Sequence, residues 1–519
     1  MSKVVSPEKA AGLIPDGACV AWTTATLCGF AEEVAIAMQK RFLATGHPRD
    51  LFITHSCGCG DFGERGLSHF AQEGMVRKHV GGHIGESPKY SKLVRENKIE
   101  CHLLPQGVLT HLWRQMAGRK IGVITKVGLG TYVDPRLEGG KANEITRDDL
   151  VKVIEFEGEE YLYFKTFPID VAVIRGTTCD ENGNLTMDQE CLFLEALQLA
   201  TAAKNNGGIV IAQAQYVSIP GTLHPKAVKV PGALVDYVVV GKPENHLQTK
   251  ATYFNPSFSG DIKTPLGGVP PLPLDERKII GRRAAMELRP GAVVNMGIGM
   301  PEGVSAVAGE EGVSDMVTLT TELGNFGGVP AKNPDFPASW NPVCTIEHPS
   351  MFDFYDGGGL DICFLGAAQV DREGNTNVSK FGDRVTGPGG YVNISSTAKK
   401  VVFVGTMTTG AKYEIKDNRI RIAKEGNTKK FVDKVTQVTF SGRNSQKNKQ
   451  KIFYVTERAV FSLENGELTL IEIAPGLDLE KDVLAVMEFR PRISPDLKEM
   501  PPEIFEPKWG KLKQIIESR

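Results

Sequence analysis

The chain has 519 residues, enough for two large domains or for three to four of average size. With 41% hydrophobic and 24% charged residues it has the composition of an ordinary globular protein, which excludes disorder as its main state. The formal net charge of −2 provides no bulk field that would attract nucleic acid or an anionic membrane, so we expect neither as a partner.

The first predicted unit is a strand, a turn and a helix. Residues 18 to 22 (ACVAW) are typical of a buried strand, and the segment FAEEVAIAMQKRF from Phe30 carries apolar residues at helical spacing. The same order recurs at residues 293 to 296 (VVNM), where a glycine-containing turn leads into a helix that begins at Pro301.

Two longer segments also repeat in the same order. IDVAVIRGTTCDENGN contains Asp170 before an apolar run, and LDICFLGAAQVDREGN contains Asp361 in the same place. Each has a second Asp ten residues later and a Gly-Asn pair after it, which indicates a strand that ends in a turn. The β-rich stretches GGIVIAQ and KKVVFVG follow at similar distances.

These repeats predict an α/β protein made of two related halves. The N-terminal half spans residues 1–245 and carries an insertion of about 80 residues, and the C-terminal half spans 276–519. Residues 246–275, which include the proline-rich PLGGVPPLPL, are predicted to form the linker. A site between the two halves is expected, because ligands often bind at domain interfaces and beyond the carboxyl ends of parallel strands.

The nine cysteines indicate a reducing compartment. They are odd in number and scattered, and most lie in apolar surroundings, as Cys28, Cys191 and Cys363 do. We therefore expect buried thiols and no disulfides. The charged N-terminus and the short apolar runs indicate neither a signal peptide nor a spanning helix, so we predict a cytoplasmic protein.

The most informative stretch is MVTLTTELGNFGGVPA, residues 316 to 331. A β-branched strand leads into Glu322, and Gly324, Gly327 and Gly328 allow a sharp turn and a close approach to a ligand. A carboxylate at a junction between strand and turn is presented much as a nucleophile on a strained elbow is. The residues alone leave open the alternative that Glu322 is a surface residue capping a turn.

This stretch resembles the active-site signature of the family I coenzyme A transferases. The pattern E-x-G-x-x-G-G is that of acetate and propionate CoA-transferases, whereas the succinyl-CoA:3-ketoacid enzymes have Ser-Glu-Asn-Gly, with Thr321 and Leu323 replacing the Ser and Asn here. Further similar motifs span nearly the whole chain; they are LPQG, KVGLGTYVDPR, NMGIGMPEG, FDFYDGGGLD, TGPGGYVNI and YVTERAVF.

The resemblance implies two related open α/β domains in tandem, of the NagB/RpiA-like type. It implies transfer of CoA between a short-chain acyl-CoA and a carboxylate by a ping-pong mechanism, with Glu322 carrying a glutamyl-CoA thioester. No general base is needed, because a carboxylate has no proton to lose and a thiolate leaves readily. CoA is expected as a substrate, with no permanently bound cofactor, and a dimer or tetramer of identical chains is expected.

The resemblance also implies the groups that stabilise the oxyanion. They are the side-chain amide of Gln106 and a backbone N–H of Gly390, with Gly389 as the adjacent candidate. Without the resemblance, Gln106 is more simply a loop residue that bonds its own backbone. Because Gln106 lies in the first half and Glu322 in the second, the site is expected at their interface.

The turn formed by Gly297, Ile298, Gly299 and Met300 is predicted to bind CoA. Backbone N–H groups at the start of a helix can receive a phosphate or a pantetheine amide. A nicotinamide dinucleotide is the alternative, but Glu302 stands where the third glycine of that fingerprint belongs. Close packing of helix on strand remains a structural explanation for these glycines.

The remaining alternatives concern metal and function. His55, Cys57, Cys59, His79 and His83 lack the spacing of a zinc site, so no metal is predicted. A thioester hydrolase is the nearest rival within the enzymes, and a non-catalytic ligand-sensing protein on the same fold is the rival outside them. The preferred acids among acetate, propionate, butyrate and lactate depend on packing that the sequence does not give.

Overall fold

The structure is a computed structural model that describes residues 2–265 and 271–519. The central part of the proline-rich connector, residues 266–270, lies outside the described residues. The chain forms two compact units. The first unit contains the chain through Thr264 together with Thr321–Asp353 and Lys380–Asn393, and the second contains the described remainder.

The first 264 residues contain strands and helices in alternation. The strands are β1 Val4–Val5, β2 Cys19–Trp22, β3 Leu51–His55, β4 Val76–Gly81, β5 Glu100–Leu103, β6 Gly122–Thr125, β7 Val151–Phe156, β8 Glu159–Lys165, β9 Val171–Asp180, β10 Leu185–Thr186, β11 Ile209–Ser218, β12 Val228–Val230 and β13 Tyr237–Val240. The helices are α1 Pro7–Gly12, α2 Glu32–Thr45, α3 Pro88–Arg95, α4 Gln106–Ala117, α5 Ala196–Asn205 and α6 Pro256–Ser259.

The rest of the chain has shorter strands. They are β14 Val293–Met296, β15 Thr318–Thr320, β16 Asn325–Phe326, β17 Val329–Pro330, β18 Ser339–Trp340, β19 Cys344–Thr345, β20 Ile362–Gly366, β21 Gln369–Val370, β22 Thr376–Asn377, β23 Lys380–Phe381, β24 Arg384–Val385, β25 Lys400–Val404, β26 Thr408–Thr409, β27 Lys412–Lys416, β28 Arg419–Lys424, β29 Thr428–Lys429, β30 Lys451–Val455, β31 Ala459–Glu464, β32 Glu467–Ile473 and β33 Arg492–Glu499. The helices are α7 Glu276–Ala285, α8 Glu302–Glu310, α9 His348–Asp356, α10 Tyr391–Thr397, α11 Gly442–Lys447 and α12 Leu512–Glu517.

The first unit is built on a parallel sheet with the order β1-β13-β11-β9-β2-β3-β4-β5. Side chains of β9 alternate between two cores, with Val171 and Val173 in one and Ala172 and Ile174 in the other. Both faces of the sheet are therefore covered, as the near-continuous apolar sequence of a doubly buried parallel strand predicts. A separate antiparallel sheet, β6-β8-β7, is formed by part of the predicted insertion.

The second unit has its own sheet, in which β15-β14-β20-β25-β30 are parallel. Strands β31, β32 and β33 extend this sheet from β30, with antiparallel pairing at the first two steps. One apolar core, to which Val294, Phe364 and Val402 belong, packs against the strands. The predicted α/β class with two related domains in one chain is confirmed.

Equivalent aspartates make the same contacts in the two repeats. Asp170 Oδ2 accepts a hydrogen bond from the Cys19 N–H at 2.8 Å, which ties the start of β9 to β2. Asp361 Oδ2 accepts one from the Val293 N–H at 3.0 Å, which ties the start of β20 to β14. The repeated Asp predicted from the sequence thus has one structural task in both halves, namely to fix two neighbouring parallel strands in register.

Within residues 2–265 and 271–519, no helix is both long enough and apolar enough to cross a membrane. All nine cysteines are free thiols. Eight of them are buried, and Cys344 is exposed, which departs from the expectation of apolar surroundings at that one position.

Candidate active site

Glu322 lies in a tight turn of the first unit. The Gly324 N–H donates to the Thr321 carbonyl at 3.1 Å, and the Thr321 N–H donates to the Asn325 carbonyl at 3.0 Å. Glu322 is the residue after Thr321 in this turn, and it is partly exposed while both of its neighbours are buried. The turn therefore leaves Glu322 partly accessible and holds the residues beside it inside the protein.

Glycine is required at two positions of this segment. Gly324 has a φ of 124°, and a Cβ added there would lie 2.2 Å from the Ile346 carbonyl oxygen. At Gly328, with a φ of 72°, an added Cβ would lie 2.1 Å from the Trp340 carbonyl oxygen. Both distances are shorter than real Cβ contacts allow, so the glycines of the signature permit backbone to pack on backbone.

The residue after Glu322 anchors the turn. Leu323 is fully buried in an apolar cluster that includes Cys57 and Leu194. Burial raises the pKa of the Cys57 thiol well above its usual value, and the negative charge of Glu322 raises that pKa further. Cys57 is consequently a neutral thiol within electrostatic range of the Glu322 carboxylate.

The structure brings Gln106 and the glycine turn together. Gln106 is the first residue of α4, and its backbone N–H donates to the Gly389 carbonyl at 3.0 Å. The Gly389 N–H donates in turn to the Gly82 carbonyl at 3.0 Å. Two segments nearly 300 residues apart in the sequence are thus joined by backbone hydrogen bonds. The Gly389 N–H is already paired, and Gly390 is the last residue before α10.

The Gln106 side chain is the end of a buried line of hydrogen bonds that the sequence did not reveal. Its amide Nε2 lies 2.9 Å from His348 Nε2, and His348 Nδ1 lies 2.8 Å from Glu195 Oε2. Ser56 Oγ donates to Glu195 Oε1 at 3.0 Å. His348 and Glu195 are fully buried, and Gln106 is almost so.

This line lies close to the turn that carries Glu322. The backbone N–H of His348 donates to the carbonyl of Leu194 at 3.1 Å, and Leu194 shares the apolar cluster with Leu323. Glu195 contributes to the raised pKa of Cys57, although it does so less than burial and Glu322 do. The Glu322 turn and the line from Ser56 to Gln106 therefore share neighbours.

The candidate catalytic residues lie in one compact unit. Glu322 belongs to segment 321–353, Gly389 and Gly390 to segment 380–393, and Gln106 to the N-terminal segment, all within the first unit. The expected site joins the two halves of the sequence, and both Gln106 and Glu322 belong to the first compact unit. The two residues do come from opposite halves of the sequence, but the segment that carries Glu322 packs with the first unit.

The turn from Gly297 to Met300 lies in the second unit, between β14 and α8, as predicted. Its backbone is partly occupied, because the Gly297 N–H donates to the Phe364 carbonyl at 2.8 Å and the Gly299 N–H donates to Glu302 Oε1 at 3.1 Å. Ile298 presents its side chain to solvent and is 47% exposed.

The histidines and cysteines near residue 55 have structural contacts. His55 Nδ1 donates to the Cys57 carbonyl at 2.5 Å, and His79 Nδ1 lies 3.1 Å from the hydroxyl of Tyr90. In the part of the chain that the structure describes, no three His, Cys, Asp or Glu side chains form a group that could hold a metal ion.

The chain is similar to known proteins in sequence and in structure. A family model described as coenzyme A transferase matches residues 4–241. The chain is 52% identical to a caffeate CoA-transferase of Acetobacterium woodii, over 99% of this chain and 100% of that protein. It is 44% identical to the acetate CoA-transferase YdiF of Escherichia coli K12, over 97% of this chain and 95% of that protein.

A solved structure agrees with this result. The acyl-CoA transferase YdiF of E. coli O157:H7, crystallised as a thioester complex with CoA, matches with a TM-score of 0.92 and 43% sequence identity, over 98% of this chain and 97% of that one. The chain therefore belongs to the coenzyme A transferase family and transfers CoA between an acyl-CoA and a carboxylate.

Proposed function

We propose that this chain transfers CoA by a ping-pong mechanism in which Glu322 carries the intermediate. The Glu322 carboxylate attacks the carbonyl of the acyl-CoA, forming a mixed anhydride and releasing the CoA thiolate. The thiolate then attacks the glutamyl carbonyl, which gives a glutamyl-CoA thioester and the free acid as its anion. A second carboxylate attacks the thioester and reverses these steps, so that no proton is gained or lost overall.

The observation that carries this proposal is that Glu322 is a partly exposed residue between buried neighbours. A carboxylate nucleophile must be ionised and within reach of its substrate, and partial exposure favours both. The related YdiF structure is named as a thioester complex with CoA, which supports a covalent thioester in this family.

Gln106 and Gly390 are the proposed donors to the oxyanion of the tetrahedral intermediates. A side-chain amide and a backbone N–H are suited to a developing negative charge. Of the two adjacent glycines, we choose Gly390, because the Gly389 N–H is already given to the Gly82 carbonyl. A Cβ built at Gly389 would lie 3.6 Å from Gln106 Oε1, which supports a position of the side-chain amide beside this turn.

We assign the CoA moiety to the turn from Gly297 to Met300. The N–H groups of Gly297 and Gly299 already donate hydrogen bonds within the protein. We therefore expect the exposed side chain of Ile298 to make apolar contact with the CoA portion of the substrate. Glu302, which accepts from Gly299, fixes the shape of the turn.

The acyl preference that we propose is for short-chain acids of the acetate, propionate or butyrate type, in line with the E-x-G-x-x-G-G signature. An aromatic acid is the second candidate, because the relative with 52% identity is named a caffeate CoA-transferase. Acetate, propionate, butyrate and caffeate, each tested as an acceptor against a common acyl-CoA donor, separate the two by their kcat/KM values. We further propose a cytoplasmic location. We also propose that the protein is a homo-oligomer, and light scattering tests its oligomeric state.

Borohydride treatment tests the mechanism, because it reduces a thioester and not a free carboxylate. Enzyme incubated with acyl-CoA should lose activity irreversibly on treatment, whereas enzyme without acyl-CoA should keep it. Glu322→Gln, which is nearly isosteric, should fold and show no exchange. Release of free CoA at the same rate without any carboxylate acceptor would favour the hydrolase instead. Inactivation that is independent of acyl-CoA would contradict the mechanism.

A further inference from the structure

We propose that Glu195 and His348 are positioning residues, which fix the orientation of the Gln106 side-chain amide so that it presents an N–H to the reacting carbonyl. This inference rests on the proposed function, in which Gln106 donates to the oxyanion. Neither residue lies in a motif of the sequence that indicates chemistry. The inference comes from the buried line of hydrogen bonds alone.

The imidazole of His348 contacts the carboxylate of Glu195. Its Nδ1 lies 2.8 Å from Glu195 Oε2, and both side chains are fully buried. A neutral imidazole has one N–H group, and the oxygen of Glu195 beside Nδ1 is an acceptor, so the proposal places that proton on Nδ1. The other ring nitrogen, Nε2, then carries a lone pair and acts as an acceptor.

The amide of Gln106 contacts the other ring nitrogen of His348. With an acceptor at His348 Nε2, the group 2.9 Å away must be the amide NH₂ and not the amide oxygen. One of the two N–H bonds of that NH₂ group is used by His348, and the other remains for a substrate oxygen. If the amide were reversed, the lone pairs of Gln106 Oε1 would face the lone pair of His348 Nε2.

Further contacts hold Glu195 and His348 in place, so that the direction of hydrogen-bond donation along the line can be fixed. Ser56 donates to the second oxygen of Glu195 at 3.0 Å, and the Leu194 carbonyl accepts the backbone N–H of His348 at 3.1 Å. The His348 ring also packs on Phe352, with 5.2 Å between the ring centroids. Burying a carboxylate and an imidazole away from water costs free energy that their hydrogen bonds must offset, which favours a role in orientation.

The proposal predicts what happens when the carboxylate is lost. Without an acceptor beside Nδ1, the imidazole proton moves to Nε2, where it can donate to the oxygen of Gln106. The amide then turns around and presents an acceptor to the oxyanion. Binding of the ground-state substrate changes little, because the thioester carbonyl carries little charge, so the effect should fall on kcat and not on KM.

Two variants of Glu195 separate orientation from packing. Glu195→Met has a similar linear shape but no acceptor, and it should lower kcat by roughly 10- to 100-fold, comparable to the loss of an oxyanion donor. Glu195→Gln keeps an oxygen that can accept from His348 and an NH₂ that can donate to Ser56, so it should retain clearly more activity than Glu195→Met. A role in packing alone predicts equal activities for the two.

A double-mutant cycle tests whether the effect passes through Gln106. In a Gln106→Ala background, Glu195→Met should cause no further loss of kcat, because no amide is left to orient. Should Glu195→Met not fold, the cycle is run with His348→Asn, which can still donate to Glu195 but cannot reach Gln106. Circular dichroism and the thermal midpoint establish that each variant is folded.

A matched control is available on the same two helices. His111 on α4 lies 3.1 Å from Asp353 on α9, and Arg114 of α4 donates to the same carboxylate, so Asp353→Asn removes a carboxylate that faces a histidine and an arginine. Its kcat should stay within about twofold of the parent value, since the pair orients no reacting group.

Three outcomes overturn the inference, namely a normal kcat in Glu195→Met, equal activity of the Met and Gln variants, or a loss that persists in the Gln106→Ala background. Detection of the Glu322 adduct in the parent enzyme distinguishes a failure of the positioning role from a failure of the proposed function. If the parent forms the adduct and Glu195→Met turns over normally, only the positioning role fails. If the parent forms no adduct, the proposed function fails.

Discussion

The side chains of Gln106 and His348 meet at 2.9 Å, although 242 residues separate them in the sequence. Gln106 begins α4 after a short parallel strand, and His348 begins α9 beyond the glycine turn that carries Glu322. The contact ties a candidate oxyanion donor to the segment that bears the candidate nucleophile. The proposed nucleophile and both proposed oxyanion donors are thus found in the first unit.

Gln106→Ala should reduce kcat by about 100-fold, which corresponds to the loss of one preorganised donor of about 3 kcal/mol. The reason is that a methyl side chain cannot stabilise the tetrahedral oxyanion. Steady-state exchange between an acyl-CoA and a carboxylate measures this. Gln198→Ala, which replaces a half-buried Gln on α5, is the control, and an unchanged rate in Gln106→Ala would remove the residue from the site.

Gly324→Ala should displace Glu322 and greatly reduce activity. The added Cβ would lie 2.2 Å from the Ile346 carbonyl oxygen at a φ of 124°, so the turn must shift. Gly312→Ala also has a positive φ, 67°, within the left-handed region that L residues can adopt at some cost, and no described atom lies within 4 Å of the new Cβ, so it serves as the control for substitution at a positive φ. Similar kcat values for the two variants would contradict the requirement for close backbone packing.

Ile298→Asp should raise the KM for acyl-CoA and change kcat little, because a negative charge at the proposed CoA turn would repel the phosphates of the substrate. Ile121→Asp provides a control, since Ile121 is another exposed isoleucine and lies beside β6 of the first unit. Equal KM values for the two variants would rule out CoA binding at the 297–300 turn.

The buried pair of Glu190 and Arg175 predicts a dependence of stability on pH. Burial alone would raise the pKa of Glu190, but the charges of Arg175 and His246 outweigh it and hold this pKa at about 2. Because the folded value is below the unfolded value near 4.5, the pair stabilises the fold above that pH, and the stabilisation is lost as the pH falls toward 2.

Glu190→Gln should lower the free energy of unfolding by about 3–5 kcal/mol near neutral pH, because it leaves Arg175 buried and unpaired. The difference from the parent should shrink as the pH approaches 3. Urea unfolding at several pH values measures both effects. Glu480→Gln removes a carboxylate from an exposed ion pair with Arg490 and should leave the curve unchanged. A constant difference at all pH values would contradict the assignment.

The parts of the fold that depend on local patterns could be predicted from the sequence. The buried strand expected at residues 18–22 is β2 at Cys19–Trp22, and the strand expected at 293–296 is β14 with the same bounds. The repeated Asp170 and Asp361 pointed to two related sheets, and both residues tie neighbouring strands together. Alternating burial and turn chemistry act over a few residues, so such elements can be recognised without the rest of the chain.

The long-range arrangement could not be predicted in this way. Nothing near Glu322 shows that its segment packs with the N-terminal unit, because that depends on contacts such as those of Leu323 with Cys57 and Leu194. Glu195 immediately precedes α5 and His348 begins α9, 153 residues later, and neither lies in a motif that indicates chemistry. Only the folded chain places the carboxylate, the imidazole and the amide in one line.

The most direct test of the account is mass spectrometry of the intact protein after exposure to an acyl-CoA donor without acceptor, followed by peptide mapping. A glutamyl-CoA thioester predicts a mass increase equal to CoA less one water, located on Glu322 in the peptide that contains TTELGNFGG, and no such increase in Glu322→Gln. An unmodified peptide under conditions of turnover, or an adduct on another residue such as Cys57, would contradict it.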